Sequence, residues 1–265
     1  LLSAAGSVMA AATITGTAPI LGALQANGTA ATQDLALTVS TAATAAEGAA
    51  IAAATTAATV DFSAAGVADD LANLAANGLS ADLSAILAKD GDAAITVNDV
   101  IAAATALNVS DVNALMAATA GDVTASLEGN ADVLVELTAT ASDPGTSNLN
   151  ITLNNGVTAA QGAIIAASTD LASIKLSDDG VQDLFVNLAA SGEASDDLLA
   201  TLAKDGGAAV EVIDPSVAIT LENVEDMNAL LAAVASTVTA TLNGDAIALK
   251  ELSPTRNDPG SSQLS

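Results

Sequence analysis

The chain has 265 residues, which is enough for one large domain or two of ordinary size. Five basic residues against 31 acidic ones give a net charge of −26, which argues against nucleic acids and anionic lipid surfaces as partners, because both need basic patches. Cysteine and histidine are both absent, so disulfides, thiol nucleophiles, imidazole bases and the common zinc and haem ligands are excluded together.

The N-terminal segment is apolar and looks at first like a signal peptide, but it lacks the basic region with which such peptides begin. Its apolar positions instead match a later part of the chain, as Leu21 and Leu24 match Leu134 and Leu137. We therefore expect residues 1–36 to be the C-terminal part of a preceding repeat, in a chain excerpted from something longer.

Two copies of one repeat unit make up the rest of the chain. The segment over 111–130 (DVNALMAATAGDVTASLEGN) returns over 226–245 as DMNALLAAVASTVTATLNGD. This self-similarity predicts one repeat unit over residues 37–150 and a second over residues 151–265.

Each unit opens with a strand and a capped helix. Residues 37–39 (LTV) predict the strand, and the capping box of Thr44 with Glu47 predicts the start of the helix. The second copy keeps the box as Thr158 with Gln161. In both boxes, side chains satisfy backbone amides that the first helical turn leaves without partners.

The middle of the unit is predicted as one strand followed by two helices. Residues 60–62 alternate as a strand does, and apolar residues at helical spacing over 67–74 predict a helix that ends at Gly78. A second helix begins near Ser80 and ends at Lys89, where a cation and the glycine beyond it are helix stop signals.

The last third of the unit repeats this alternation. Residues 94–97 predict a strand, and residues 99–107 look helical in the first copy. A further helix begins near Ser110, and a strand over 123–127 precedes a helix that runs through Leu134 and Leu137.

Strands that are separated by helices imply crossover connections, which join parallel strands. Strands that recur every few tens of residues, with helices between them, are typical of solenoid proteins. We therefore predict an α/β fold, a tandem-repeat, solenoid-like stack of short parallel strands and short helices. The alternative is two compact α/β domains that are joined near residues 143–149.

The best candidate for ion binding is the segment over 89–99, KDGDAAITVND. It is similar to half of an EF-hand loop, with carboxylates two residues apart and another carboxylate further on. A helix stop followed by a turn explains the same residues without a metal, and the second copy has Gly207 in place of one carboxylate. The candidate calcium ligands are Asp90, Asp92, Asp99, Asp205 and Asp214.

The sequence carries no catalytic motif. It has no phosphate loop with its lysine, no nucleophile elbow and no Rossmann fingerprint, and its only aromatic residues are Phe62 and Phe185. We predict that the protein is not an enzyme. We also predict no membrane span, because the alanine-rich segment over 41–60 carries Glu47 and many threonines.

Three related segments carry a resemblance to known proteins: ATITGTAPILGALQA over 12–26, VTASLEGNADVLVELTA over 123–139 and VTATLNGDAIALKELSP over 238–254. They resemble the repeats of very large, acidic, secreted surface proteins of marine bacteria and cyanobacteria. The resemblance implies a role at the cell surface, in a sheath, filament or adhesive, that often depends on calcium.

The repeat, the charge and this resemblance together predict a structural, extracellular repeat protein. We expect it to self-assemble with copies of itself into a filament, sheath or surface layer, with calcium as its cofactor. The alternative is an adhesin or ligand-binding segment of a giant cell-surface protein, which recognises a glycan or the cell surface.

Overall fold

The structure is a computed structural model that describes residues 11–24, 34–62, 65–140, 143–252 and 261–265. Short strands and short helices alternate along these residues. The strands are β1 (Ala11–Gly16), β2 (Asp34–Val39), β3 (Val60–Asp61), β4 (Val67–Asp69), β5 (Ile95–Ile101), β6 (Val123–Gly129), β7 (Ser147–Leu153), β8 (Val181–Asp183), β9 (Ala189–Ala190), β10 (Glu193–Ala194), β11 (Val210–Val212), β12 (Val217–Ile219), β13 (Thr237–Ala240), β14 (Leu242–Gly244) and β15 (Ser261–Leu264). The helices are α1 (Ala18–Gly22), α2 (Ala45–Ala53), α3 (Leu71–Leu74), α4 (Ala81–Leu87), α5 (Ala106–Ala118), α6 (Ala131–Leu134), α7 (Ala159–Ala166), α8 (Phe185–Leu188), α9 (Asp196–Lys204), α10 (Val224–Ala233) and α11 (Ala246–Lys250).

The chain divides into two compact units. Unit 1 comprises Leu1–Ile101, Thr105–Leu127 and Leu137–Leu149, and unit 2 comprises Ala102–Ala104, Glu128–Glu136 and Asn150–Ser265. The main junction, after Leu149, lies beside the boundary that the sequence repeat predicts at residue 150. Much of the predicted repeat fragment over residues 1–36 lies outside the described residues.

Parallel pairing dominates the sheets of both units. In unit 1, β1, β2 and β3 form one parallel sheet. A second has the order β4, β5, β6 and β7, with β4, β5 and β6 parallel, and the chain runs on from β6 and β7 into residues of unit 2. In unit 2, the order β15-β13-β11-β8 is parallel throughout, and β12 pairs in parallel with β14. The prediction of an α/β fold with short parallel strands is therefore confirmed. Among the described strands, the hairpin of β9 and β10 is antiparallel.

Local signals at helix starts agree with the structure. Both capping boxes are formed, by Thr44 with Glu47 before α2 and by Thr158 with Gln161 before α7. The Ser80 side chain accepts a hydrogen bond from Leu83 N and caps α4, as the sequence predicts.

Three predicted helix boundaries are wrong. The helix predicted over 67–74 is instead strand β4 followed by the four-residue helix α3, because Val67 and Ala68 pair with Ile95 and Thr96 of β5. The helix predicted over 99–107 is instead the second half of β5, a loop and the start of α5. The helix predicted to begin near Ser110 begins at Ala106, after a capping box formed by Thr105 and Asn108.

The core lies between the sheets and the helices and is mostly aliphatic. Phe62 is fully buried in unit 1, near Gly48 of α2, where an added Cβ would lie under 3 Å from the Ile86 side chain of α4. In unit 2, Gly162 of α7 makes an equally close approach to Thr201 of α9. Glycine at both positions therefore lets two helices pack closely in a core that has few large side chains.

Gly66 and Gly180 occupy equivalent turns before β4 and β8. Both have positive φ angles, +68° and +61°, which L side chains rarely adopt. An added Cβ at Gly180 would lie under 3 Å from the backbone of Ala209, so the close approach of the neighbouring chain also requires glycine there.

None of the helices in the described part of the chain combines the length and the hydropathy that a membrane crossing requires.

Candidate functional site

The first two predicted calcium ligands, Asp90 and Asp92, lie in the loop between α4 and β5. Asp90 is buried, with 8% of its surface exposed, and its Oδ2 accepts a hydrogen bond from Phe62 N at 2.5 Å. Asp92 is exposed, and its carboxyl group is hydrogen-bonded to that of Asp90. The two carboxyl groups therefore form a close pair. In this pair, the carboxyl group of Asp90 is also bound to the backbone of Phe62, the residue that follows β3.

Burial and the neighbouring carboxyl group of Asp92 raise the pKa of Asp90 to about 6. The same hydrogen bond holds the pKa of Asp92 below its ordinary value. Two ionised carboxylates in contact repel each other, so the pair favours a shared proton or a bound cation. Chemically, the pair can therefore take up a proton in mildly acidic solution.

The other three predicted ligands do not join this pair. Asp99 lies in β5 and its Oδ1 accepts from Leu71 N at 2.8 Å. In unit 2, Asp205 Oδ2 accepts from Leu176 N at 2.9 Å, and Asp214 Oδ2 accepts from Phe185 N at 2.6 Å. Across the described ranges, no three Asp, Glu, His or Cys side chains come together to hold a metal ion.

The contacts of these carboxylates are the same in the two repeats. Asp90 and Asp205 both accept from the residue that follows the short strand 60–61 or its equivalent, while Asp99 and Asp214 both accept from the first residue of a helix. The sequence repeat groups these aspartates correctly as equivalent pairs. The amide that each pair binds, about one strand and one helix earlier in the chain, does not follow from the repeat.

This arrangement extends beyond the predicted ligands. We use the term layer for a strand with the helix that follows it, and interlayer cap for a side chain that accepts from the first amide of the previous layer's helix. The interlayer caps lie 23 to 29 residues after those amides. They are Thr41 on Ala18, Asp69 on Ala45, Asp99 on Leu71, Asn155 on Ala131, Asp183 on Ala159 and Asp214 on Phe185.

Asp69 shows how tightly an interlayer cap is held. Its Oδ2 accepts from Ala45 N at 3.0 Å, while its Oδ1 accepts from Asp70 N at 2.9 Å and from Asn73 Nδ2 at 2.7 Å. Burial acts to raise the pKa of Asp69, but these hydrogen bonds to the ionised form together hold it below its ordinary value. The carboxylate is therefore a fixed, charged acceptor rather than a proton carrier.

Asp183 makes the equivalent three contacts in unit 2, with Ala159 N, Leu184 N and Asn187 Nδ2. It is 5% exposed. The signal that could have revealed these caps is the recurrence of Asp, Asn or Thr at strand ends at a nearly constant distance from the preceding helix start. Equal spacing alone does not identify the amide that each one binds.

The two equivalent lysines also bind backbone groups of the preceding layer. Lys89 Nζ donates to the carbonyl oxygen of Ala57, and Lys204 Nζ donates to those of Thr169 and Leu171. Lys204 is in the last turn of α9, as predicted, whereas Lys89 lies beyond the end of α4 at Leu87. The carbonyl groups that the two lysines bind lie 32 to 35 residues earlier.

A shallow groove of about 670 Å³ opens in unit 2 at the carboxyl ends of β12 and β14. Its walls are residues 218–222 and 243–245, and Thr220, Glu222, Asn243 and Asp245 supply its polar groups. In open parallel α/β sheets, the crevice outside the carboxyl ends of the strands is the usual place for ligands. The groove therefore lies at a position that suits ligand binding.

No protein-family model, no curated protein and no solved structure matches the chain.

Proposed function

We propose that the protein is a structural, extracellular repeat protein that self-assembles with copies of itself into a filament, sheath or surface layer. The observation that carries the proposal is the set of interlayer caps. The same side chains bind the same amides in both repeats, as Asp69 and Asp183 do on Ala45 and Ala159. Residues that recur in the two repeats therefore serve architecture.

The finer architecture that we propose is a solenoid-like stack of layers. Each capped helix has its first amide satisfied by the following layer, and parallel strands supply the other contact between successive layers. Proteins of this kind extend by adding further repeats, because each repeat contacts chiefly its neighbours. Chains that stack end to end without closing form filaments.

Edge strands support self-association. In the described residues, β1 has β2 as its partner strand and β15 has β13, so both lie at sheet edges. Unpaired strand edges are templates for further strands. We propose that strand addition at such edges joins copies of the chain in a non-enzymatic, extracellular assembly.

Charge makes calcium the natural counter-ion of this assembly. Copies that each carry a net charge of −26 repel one another, and divalent cations bound by carboxylates reduce that repulsion. We propose that calcium promotes assembly, with the pair Asp90 and Asp92 as the first of the predicted ligands.

The second candidate function is that of an adhesin or ligand-binding segment. The groove in unit 2 favours it, because polar side chains and backbone groups line an open cleft there. Retention of the protein on a glycan array, together with a monomeric state, supports this function over self-assembly.

Electron microscopy of the purified chain, with calcium and with a chelator, tests the first proposal. We expect ordered polymers, and more of them with calcium. The double variant Thr13→Lys/Thr15→Lys places charges on exposed positions of β1 and should abolish the polymers.

The matched control is Thr96→Lys/Thr124→Lys, which adds the same charge to exposed positions of the interior strands β5 and β6 and should leave polymers intact. A monodisperse monomer at high concentration, in both ionic conditions, overturns the proposal of self-assembly.

A further inference from the structure

Five large apolar side chains of unit 2 are exposed where strands end and helices begin. Their exposed fractions lie between 41% and 68%. We call this set the apolar edge. It consists of Leu184, Val186, Ile213, Leu221 and Ile247.

Backbone pairing places these residues at the carboxyl ends of parallel strands. Leu184 directly follows β8, and Ile213 directly follows β11 and donates its N–H to Asp183 O at 3.0 Å, which sets it beside the end of β8. Leu221 lies just after β12 and lines the groove, while Ile247 is in the first turn of α11 after β14. Since carboxyl ends of parallel strands lie at the same edge of a sheet, Leu184 and Ile213 border one edge of the sheet that contains β8 and β11. Leu221 and Ile247 border the corresponding edge of the pair of β12 and β14.

The first repeat shows that folding does not require these side chains. At the equivalent positions it carries aspartate, asparagine or alanine, yet it forms the same interlayer caps. The equivalent pairs are Leu184 with Asp70, Val186 with Ala72, Ile213 with Asn98, Leu221 with Ala106 and Ile247 with Asp132.

The first repeat exposes other apolar residues at its strand-to-helix connections, Val100 and Leu107, where the second repeat has Pro215 and Glu222. The two repeats therefore differ in surface while sharing a scaffold. Several exposed apolar residues at neighbouring strand ends, which cost solubility and are not needed for the fold, are typical of interaction surfaces.

Carboxylates accompany the apolar edge. Glu222 and Asp245 lie in the wall of the groove, and Asp214 follows Ile213 in the chain. Without bound calcium, a second copy of the chain is repelled from these groups by its own net charge of −26, whereas a cationic partner is attracted. A segment with cationic and apolar side chains complements both the negative charge of these carboxylates and the apolar edge.

We propose that the apolar edge and the adjoining groove of unit 2 are a docking surface for a cationic amphipathic peptide segment of a partner protein. Its apolar side chains lie against Leu184, Ile213 and Leu221, and its lysine or arginine side chains face Glu222 and Asp245. This function differs from self-assembly, for which we propose backbone pairing at the edge strands β1 and β15 rather than contacts of these side chains.

The test measures binding of a synthetic peptide of alternating lysine and leucine by fluorescence anisotropy at physiological ionic strength. The variant Leu184→Asp/Ile213→Asn/Leu221→Ala carries the first repeat's own residues at three positions. We expect its affinity for the peptide to fall by about tenfold or more, which corresponds to about 1.4 kcal/mol. An unchanged thermal melting curve shows that the variant folds.

The matched control is Leu107→Glu, which removes an exposed leucine from the first repeat and adds one negative charge, as Leu184→Asp does. It should bind the peptide as the unaltered chain does. A second control peptide with serine in place of leucine should bind weakly.

Three results overturn the proposal. These are equal binding of the lysine–serine peptide, equal affinity of the unaltered chain and the triple variant, and a dimer of the unaltered chain that the triple variant converts to monomer. The last result assigns the surface to a contact between copies.

Discussion

Asp90 shows how one position in a repeat can acquire a different chemistry from its equivalent. Asp90 and Asp205 hold equivalent backbone amides, and each also accepts from the N–H of the residue two positions later, but only Asp90 meets a carboxyl group there, that of Asp92. The side chain of Asp92 therefore puts a second negative charge beside a buried carboxylate in one repeat alone.

The first prediction concerns pH. The folded-state pKa of Asp90, about 6, lies above its ordinary value of 3.8, so the folded chain binds more protons than the unfolded chain between these values. Stability from this group is therefore present at low pH and is lost as pH rises through that window. The Asp92→Gly variant removes one cause of the shift, and we expect its Tm to exceed that of the unaltered chain by about 2 °C at pH 7.

The Tm difference should vanish near pH 4, where the pair shares a proton. The reciprocal variant Gly207→Asp builds the same pair in the second repeat and should lower the Tm at pH 7. A Tm difference that is independent of pH in both variants contradicts this account of the pair.

At the scale of elements, the interlayer caps join six of the described helices to the layer that follows each of them. A helix leaves its first amides without partners inside the helix, and a buried amide without a partner costs about 1–3 kcal/mol. The helices α3 and α8 have four residues each and are too short to be stable alone. Their stability therefore depends on Asp99 and Asp214 from the next layer.

The second prediction is that Asp183→Ala destabilises the chain by about 2 kcal/mol, because three donors lose one carboxylate. Urea unfolding followed by circular dichroism measures the change. Asp183→Asn keeps an acceptor oxygen and should cost less than half as much.

Asp179→Ala removes an exposed carboxylate nearby in the sequence and should leave the unfolding midpoint unchanged. Equal effects of the Asp183 and Asp179 substitutions contradict the capping role.

The elements differ in how far the sequence predicts them. The capping boxes of Thr44 and Thr158 involve residues three positions apart, so a local pattern suffices to find them. The interlayer caps join residues 23 to 29 positions apart, and only the strand register decides which amide each carboxylate meets. For this reason Asp99 and Asp214 were predicted as calcium ligands from their spacing, whereas their described contacts are backbone amides.

Strand β4 shows the same limit. Val67 begins a segment whose apolar spacing suits a helix. Its first three residues are nevertheless held in an extended conformation by pairing with β5, and α3 begins after them. Tertiary pairing overrides local preference most easily in segments this short.

At the scale of the whole molecule, charge sets the conditions in which the chain is stable. A net charge of −26 destabilises any compact state by self-repulsion, and the alanine-rich, nearly aromatic-free core offers little area to offset it. Cations should therefore stabilise the folded chain.

The third prediction is that millimolar calcium raises the Tm by about 2–4 °C, because a ligand that binds only the folded state stabilises it. Differential scanning calorimetry at matched ionic strength separates binding from screening. Magnesium, which keeps its water shell more firmly, should produce a smaller shift. Asp90→Asn/Asp92→Asn should reduce the calcium shift, and the absence of any shift in the unaltered chain contradicts a calcium role.

The interlayer caps also set the order in which the layers can be completed during synthesis. During synthesis the N-terminal residues emerge first, and each of these six helix starts must wait until its capping side chain, 23 to 29 residues later, has left the ribosome. At any moment, therefore, only about one layer of the growing chain still lacks its capping side chain. The capped layers before it are complete. A long chain of such layers would thus expose little unfinished backbone to neighbouring chains, however many repeats it contained.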